Sequence, residues 1–487
     1  RKNKFLMKNR IGLNIIRRLI YLVLFLFFGC EKDSINKSEI TEFNNKWDLE
    51  QIKASGTLRA LTVYSGTSYF LYKGRPMGYE FELLERFAEY LDVDLEMIVV
   101  NNINELFEKL NNGEGDIIAH GLTITTDRKE EVSFSNHLYL TKQVLVQKKP
   151  DNWRGMSWTK LKKALVHDPI DLLGDTISIR SMTSYKERIY NLSDELGGTI
   201  HINLLSGELA TDEIIEKVVN GDIKYTIADN NIASIMATYY PILDVKVPVS
   251  FSQRIAWATR HDSQNLLNAT NNWLKQIKRK IDFNVIYNKY FKNKKYFRRR
   301  IKSNFYSLNN QQISPYDGLI KKHSKVLNWD WRLVASQVYQ ESKFDPRVSS
   351  WAKASGLMQL MPNTAKELGV TNRSDPEQSI KGGTKYLKRI WKNFEHIPDS
   401  IQRTKFAMAS YNCGMGHVFD AQRLAEIEGL KKDVWDDHVE SMVLKLSKPE
   451  YYNHPIVKYG YVRGLEPYNY VKQIFERYQH YVQFINE

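Results

Sequence analysis

One glutamate in the stretch QESKFDPRVSSWAKASGLMQLMP, residues 340–362, stands where a carboxylate can do acid–base work. Glu341 follows Val334 and Val338 along one face of the helical pattern DWRLVASQVYQES, and a Gly-Leu-Met-Gln turn comes at 356–359. A carboxylate on the inward face of a helix is costly when ionised, because burial strips its water. Desolvation therefore raises its pKa, and a raised pKa is what a general acid near neutral pH needs. Cleavage of a sugar bond commonly uses two carboxylates. The next one along, Asp345, precedes Pro346 and reads as a turn residue that closes the helix. From Glu341 alone a structural ion pair is the simpler reading, and the neighbouring residues have to decide the matter.

The element that carries Glu341 starts at a capping Asp330 and belongs to a run of helices. TKYLKRIWKNF aligns Leu387, Ile390, Trp391 and Phe394 on one face, and TKFAMASYNCG runs into a helix stop at Gly414. The earlier part of the chain differs. GTLRALTVY (56–64) and DLEMIVV (94–100) read as strands, and FELLERFAEYL (81–91) spaces Phe81, Leu84, Ala88 and Leu91 as a helix does. INELFEKLNNGEGDIIAHGLTIT repeats the alternation, with Gly113 and Gly115 between helix and strand. Strands alternating with helices predict a parallel-type α/β sheet whose strand-end loops can hold a ligand. Between the halves, NKYFKNKKYFRRRIKSN (288–304) places eight basic residues in fourteen positions without an acid. Like charges repel rather than pack, so this seam is expected to be a solvated connector.

A chain of 487 residues is too long for one ordinary core, and 42% hydrophobic with 12% aromatic residues excludes a disordered protein. The first 29 residues hold seven basic side chains, no acid, and the apolar run LIYLVLFLFF at 19–28. That is the pattern of an export signal, shorter than a membrane span. It ends on FFGC, which resembles the lipobox of bacterial lipoproteins and would make Cys30 the acylated N-terminus; the alternative is an uncleaved anchor. Either way the bulk of the chain is expected outside the cytoplasm, at a membrane. Loss of the leader takes seven charges from the formal +14 and leaves +7. That balance suits an anionic wall or membrane surface and does not argue for nucleic acid. Of the two cysteines, Cys413 has no intramolecular partner once Cys30 is lipidated, so no disulfide is expected. Cys413 reads as a small buried residue rather than a nucleophile. With no His or Cys cluster at ligand spacing, neither a metal nor a cofactor is implied.

Residues 313–487 resemble the soluble-lytic-transglycosylase family, whose helical fold is like that of goose-type lysozyme and which cleaves peptidoglycan. The motifs that carry the resemblance are Glu341-Ser342, Gly356-Leu357-Met358-Gln359 running on to Met361-Pro362, Ala409-Ser410-Tyr411-Asn412-Cys413-Gly414 with Gly416 after it, and Tyr470-Val471. The resemblance implies that Glu341 protonates the glycosidic oxygen between N-acetylmuramic acid and N-acetylglucosamine. It then takes the proton of the sugar's own 6-hydroxyl, closing a 1,6-anhydro ring without consuming water. By the same motifs Tyr411 and Gln359 approach the glycan or Glu341, Met358 lines the cleft, and Tyr470 contributes. Ser342 orients Glu341 or satisfies a helix end, and Asn412 contacts substrate or caps its helix.

Residues 46–297 resemble the periplasmic solute-binding proteins that recognise amino acids and close two lobes on a ligand. GDIIAHGLTITTDRKEEVSFS (115–135) matches their apolar strand, Thr-x-Thr, Arg and Phe-Ser. The resemblance implies that Arg128 grips a ligand carboxylate, with Thr123 beside it. GDTISIRSMTSYKE adds Thr183 and Ser184, and Asp229 in YTIADN faces the ligand ammonium. His120 and Gly121 stand where small hydroxyl residues are common, which leaves the ligand open between a free amino acid, a wall peptide and none.

The expected organisation is a signal at 1–29, a lipoprotein linker at 30–45, a two-lobed α/β solute-binding module at 46–297, a basic linker at 298–312 and a mainly α lysozyme-like catalytic module at 313–487. The function expected is a peptidoglycan lyase held by a lipid anchor at the outer membrane, facing the periplasm, with glycan strands as substrate and a ligand-sensing first module. The alternatives are a hydrolytic muramidase and a non-catalytic wall-binding or solute-sensing lipoprotein.

Overall fold

The computed structural model describes residues 47–307 and 311–486. The expected signal and the whole of the lipoprotein linker, Cys30 included, lie outside the described residues.

The first module opens with β1 (Thr57–Val63), a short hairpin of β2 (Phe70–Tyr72) and β3 (Arg75–Met77), helix α1 (Tyr79–Leu91), β4 (Asp94–Val100) and β5 (Ile117–Thr123). β1 runs parallel to both β4 and β5. Leu58, Ala60, Leu61, Ile117 and Ile118 are fully buried, as expected of strands covered on both faces. A second lobe holds β6 (Gln143–Lys148), β7 (Thr176–Arg180), β8 (His201–Leu205), helix α2 (Thr211–Asn220) and β9 (Tyr225–Asp229). There β6 pairs antiparallel with β9, and β7 pairs parallel with β8. The chain returns to the first lobe through β10 (Gln253–Thr259), which lies antiparallel to β5. The parallel-type sheet expected from sequence therefore holds for β4–β1–β5 and not for β10. A strand re-entering from the second lobe starts at the end of the sheet where β5 leaves it.

The basic seam is not simply solvated. It includes helix α3 (Lys294–Ile301), in which Phe297 is buried and Arg300 is fully buried. The Arg300 guanidinium lies 4.4 Å over the Phe70 ring and 5.2 Å from that of Phe297, and its Nη2 donates to Gly66 O at 2.7 Å. Cation–π contact and a carbonyl acceptor offset the desolvation that a charge-count alone treats as prohibitive. The other basic residues of α3 and its flanks face outward, apart from Lys289, which pairs with Glu82.

In the helical module, α4 (Trp331–Ser342) starts where Asp330 Oδ1 accepts the Arg332 N–H at 2.9 Å. It packs with α5 (Pro376–Lys392), α6 (Ser400–Cys413) and the long α7 (Leu465–Phe484). Leu333, Phe406, Met408, Val471 and Ile474 share one core. Ser336 Oγ donates to Ile474 O at 2.7 Å, pinning α4 to α7.

Both modules lie within one compact unit, Asp48–Glu487. The hairpin β2–β3 reaches the far end of α7: Tyr481 Oη donates to Gly74 O at 2.7 Å, and the Tyr64 and Phe484 rings sit 4.4 Å apart. Tyr69 and His480 share a hydrogen bond, Gln483 Nε2 donates to Met97 O at 2.8 Å, and Lys472 pairs with Asp94.

Candidate functional sites

Glu341 sits in the last turn of α4, half-buried. The helix ends because Lys343 and Phe344 take left-handed φ of 51° and 64°. Burial pushes the Glu341 carboxyl up to about 7, against a lowering hydrogen bond from Tyr470. Tyr470 Oη donates to Glu341 Oε1 and accepts from Gln337 Nε2 at 3.0 Å, so α7 holds the acid through one hydroxyl. Asp345 is turned to solvent and pairs with Arg347.

The Gly-Leu-Met-Gln loop forms the neighbouring wall. Gly356 has φ of +87°, and a Cβ there would lie 1.9 Å from Arg373 O, so no other residue fits without a shift. Ser342 Oγ donates to Val338 O at 3.1 Å and Leu357 O at 3.0 Å. It ties the end of α4 to this loop rather than bonding to Glu341. Gln359, at a left-handed φ of 46°, donates to Val348 O and Gly356 O at 3.0 and 2.9 Å and so closes its own loop. The Met358 side chain is fully buried and packs against Gly383, where a Cβ would lie 2.3 Å from its sulfur. Its carbonyl instead accepts the Tyr411 hydroxyl at 2.7 Å. Burial first, and the Glu341 charge second, raise the Tyr411 hydroxyl well above its ordinary value. Asn412 follows, half-buried on α6. Burial pushes the Cys413 thiol up to about 12, which makes it unreactive. This is a single carboxyl of near-neutral pKa between two tyrosine hydroxyls.

In the first module, Thr123, Arg128, Thr183, Ser184 and Asp229 all line one cavity between the lobes, with about 860 Å³ of space free of protein atoms, its mouth included. Arg128 Nη1 donates to Thr123 O at 3.0 Å. Thr183 Oγ1 donates to Arg180 O at 2.8 Å, and Ser184 Oγ accepts from Gln143 Nε2 at 3.3 Å. Asp229, at the end of β9, is pushed up to about 7 by burial against the pull of Arg128. Burial, with Arg180 and Arg128 nearby, pushes His120 down to about 3, so its imidazole is neutral. Sequence reading missed Glu80, Arg180, Tyr139 and Phe297 on the same walls. The Gly78-Tyr79-Glu80 start of α1 was the signal available for Glu80; Phe297 was hidden in the basic seam. Among the described residues no group of three or more His, Cys, Asp or Glu is placed to hold a metal ion.

Residues 61–293 match the bacterial extracellular solute-binding proteins, family 3, and residues 318–434 match the transglycosylase SLT domain. A solute-binding module joined to a transglycosylase module is the class that this fold and these sites define. The membrane-bound lytic murein transglycosylase F of Desulfosudis oleivorans is 34% identical over 430 residues, covering 88% of this chain and 91% of that one. Those of Photobacterium profundum and Vibrio cholerae are each 32% identical, over 467 and 470 residues, covering 94% of this chain and 85% and 84% of theirs. The chain belongs to the membrane-bound lytic murein transglycosylase F family.

Proposed function

We propose that the protein cleaves the β-1,4 bond between N-acetylmuramic acid and N-acetylglucosamine in peptidoglycan, with Glu341 as acid and then base, leaving 1,6-anhydro ends. The observation that carries this is the lone carboxyl of Glu341 at about 7. A group that is half protonated near neutral pH can give a proton to the leaving oxygen and take one back from the 6-hydroxyl. The substrate's 2-acetamido group supplies the charge stabilisation that a second carboxylate would otherwise give. Tyr470 sets the geometry of Glu341, and Tyr411, Gln359 and the Met358 carbonyl shape the wall beside it. Replacing Glu341 by Gln should stop release of soluble fragments from sacculi while the protein still co-sediments with them. Continued cleavage at more than about a tenth of the wild-type rate is incompatible with a single acid–base residue, since such steps are worth about 10²–10⁴-fold.

We further propose that Cys30 is acylated and holds the protein at a membrane, the outer membrane facing the periplasm. The basic leader and FFGC support this, as do the relatives' names as membrane-bound enzymes. No helix among the described residues is long and apolar enough to cross a membrane.

The first module is proposed to bind an amino acid or wall peptide through Arg128 and Asp229, and to bias access to Glu341. Ser65 and Ser68 line the cavity, Tyr69 next to them touches His480 on α7, and α7 carries Tyr470 to Glu341. Couplings of this kind are about 1–3 kcal/mol and reciprocal. Calorimetric titration of the first module with and without an inhibitor in the cleft checks this; equal affinities mean that the modules are merely tethered.

A further inference from the structure

We propose that the cavity of the first module takes a free α-amino acid whose side chain carries a second cationic group, a diamino acid such as lysine or ornithine, and that Glu80 selects that second charge. The inference rests on reading this cavity as an amino-acid site. The cavity is closed in by side chains of both lobes, Thr123 and Arg128 from one and Thr183 and Asp229 from the other, which suits a small polar ligand rather than a glycan strand.

Two of the walls already answer an α-amino acid. Arg128 offers a planar fork for the carboxylate. Asp229 Oδ1 has no hydrogen-bond partner among the described residues and is 6% exposed, so an ammonium placed there meets an unsatisfied acceptor.

Two further carboxyls line the cavity, and one of them, Asp212, has the Arg300 charge acting on it. Glu80, in the first turn of α1, lines the same cavity, is 2% exposed, and has no hydrogen-bond partner at Oε2 among the described residues. The groups that act on it or feel its charge are the Ser68 hydroxyl and the Tyr79 and Tyr139 phenols, none of them a cation. The two arginines that line the cavity are engaged elsewhere: Arg128 on Thr123 O and Arg180 on Gly207 O. A buried carboxylate with no cation beside it is expensive, and a ligand ammonium removes the expense.

Gly121 completes the argument. A Cβ at this position would lie 3.9 Å from Glu80 Oε1 and 3.6 Å from Tyr139 Oη. The glycine therefore places no side chain of its own against the carboxyl and leaves that approach to a ligand. A ligand with an apolar side chain would bury Glu80 without satisfying it.

The test is calorimetric titration of the detergent-solubilised full chain with L-lysine, L-ornithine and L-norleucine, which matches ornithine in length but ends in a methyl group. Lysine or ornithine should bind about 10–100-fold tighter than norleucine, the range of a hydrogen bond to a charged group. Glu80→Gln should cut lysine affinity by that factor and norleucine affinity much less, and Glu80→Asp should keep the preference. Norleucine binding as tightly as both diamino acids in the wild-type chain overturns the role of Glu80 and leaves the amino-acid site standing. Absence of binding by all three overturns the amino-acid reading itself and the proposal with it.

Discussion

Replacing Tyr470 by phenylalanine removes one hydroxyl from a buried ring and should move the pH dependence of cleavage upward. Tyr470 donates to Glu341 Oε1. A hydrogen bond to the ionised form stabilises that form, so the tyrosine keeps the acid below the value that burial alone would set. Hydrogen bonds to charged groups contribute about 1.5–3 kcal/mol. At about 1.4 kcal/mol per pH unit, their loss raises the Glu341 pKa by roughly one to two units. The first step needs Glu341 protonated, so the alkaline limb of kcat should shift by the same amount. Initial rates of soluble fragment release from sacculi, at saturating substrate across neutral and alkaline pH, read the midpoint of that limb. A lower plateau is also expected, because Gln337 Nε2 loses its acceptor; the midpoint, unlike the plateau, does not move for a merely structural reason. A limb that stays in place or shifts downward would refute the claim that Tyr470 tunes Glu341.

Glu341 itself links stability to pH. Its folded value of about 7 lies above the ordinary 4.5, so the folded state binds the proton more tightly and loses stability as pH rises between those values, on the order of 3 kcal/mol in full. Glu341→Gln removes that loss, and its gain in Tm over wild type should be larger at pH 8 than at pH 5; an equal effect at both contradicts the raised pKa. Gly356→Ala forces a Cβ against Arg373 O at a left-handed φ, and should cost at least about 1–3 kcal/mol by overpacking, visible as a fall in Tm. Cys30→Ala should move the protein from the membrane to the soluble fraction, since stable anchoring takes more than one acyl chain; persistent pelleting points to an uncleaved anchor.

Much of the helical site was legible because its chemistry is local in sequence. Asp330 marks the start of α4, Glu341 falls on the inward face, and Gly414 ends α6 with φ of 88°. What Ser342, Met358 and Gln359 do was not legible. Their partners are backbone carbonyls or a glycine brought up by folding, and a motif names residue types without saying which atom faces which. The basic seam misled for a related reason. Charge density is a property of the whole segment, whereas burial is decided side chain by side chain, and Arg300 points into an aromatic cluster while most of its neighbours face water. Glu80 went unread because one acid at a helix start is ordinary; only the fold buries it against the cavity with Oε2 unpartnered among the described residues. The antiparallel β10 follows from how the chain re-enters the first lobe, which no local pattern encodes.

The most direct test of the central claim is the mass of the fragments that the wild-type protein releases from purified sacculi. A single carboxyl that returns its proton through the sugar's 6-hydroxyl predicts muramic ends lighter by one water than hydrolytic ends, and no uptake of oxygen from isotopically labelled water. Ends at the full hydrolytic mass, carrying the solvent label, would contradict the lyase mechanism and show that Glu341 activates water instead.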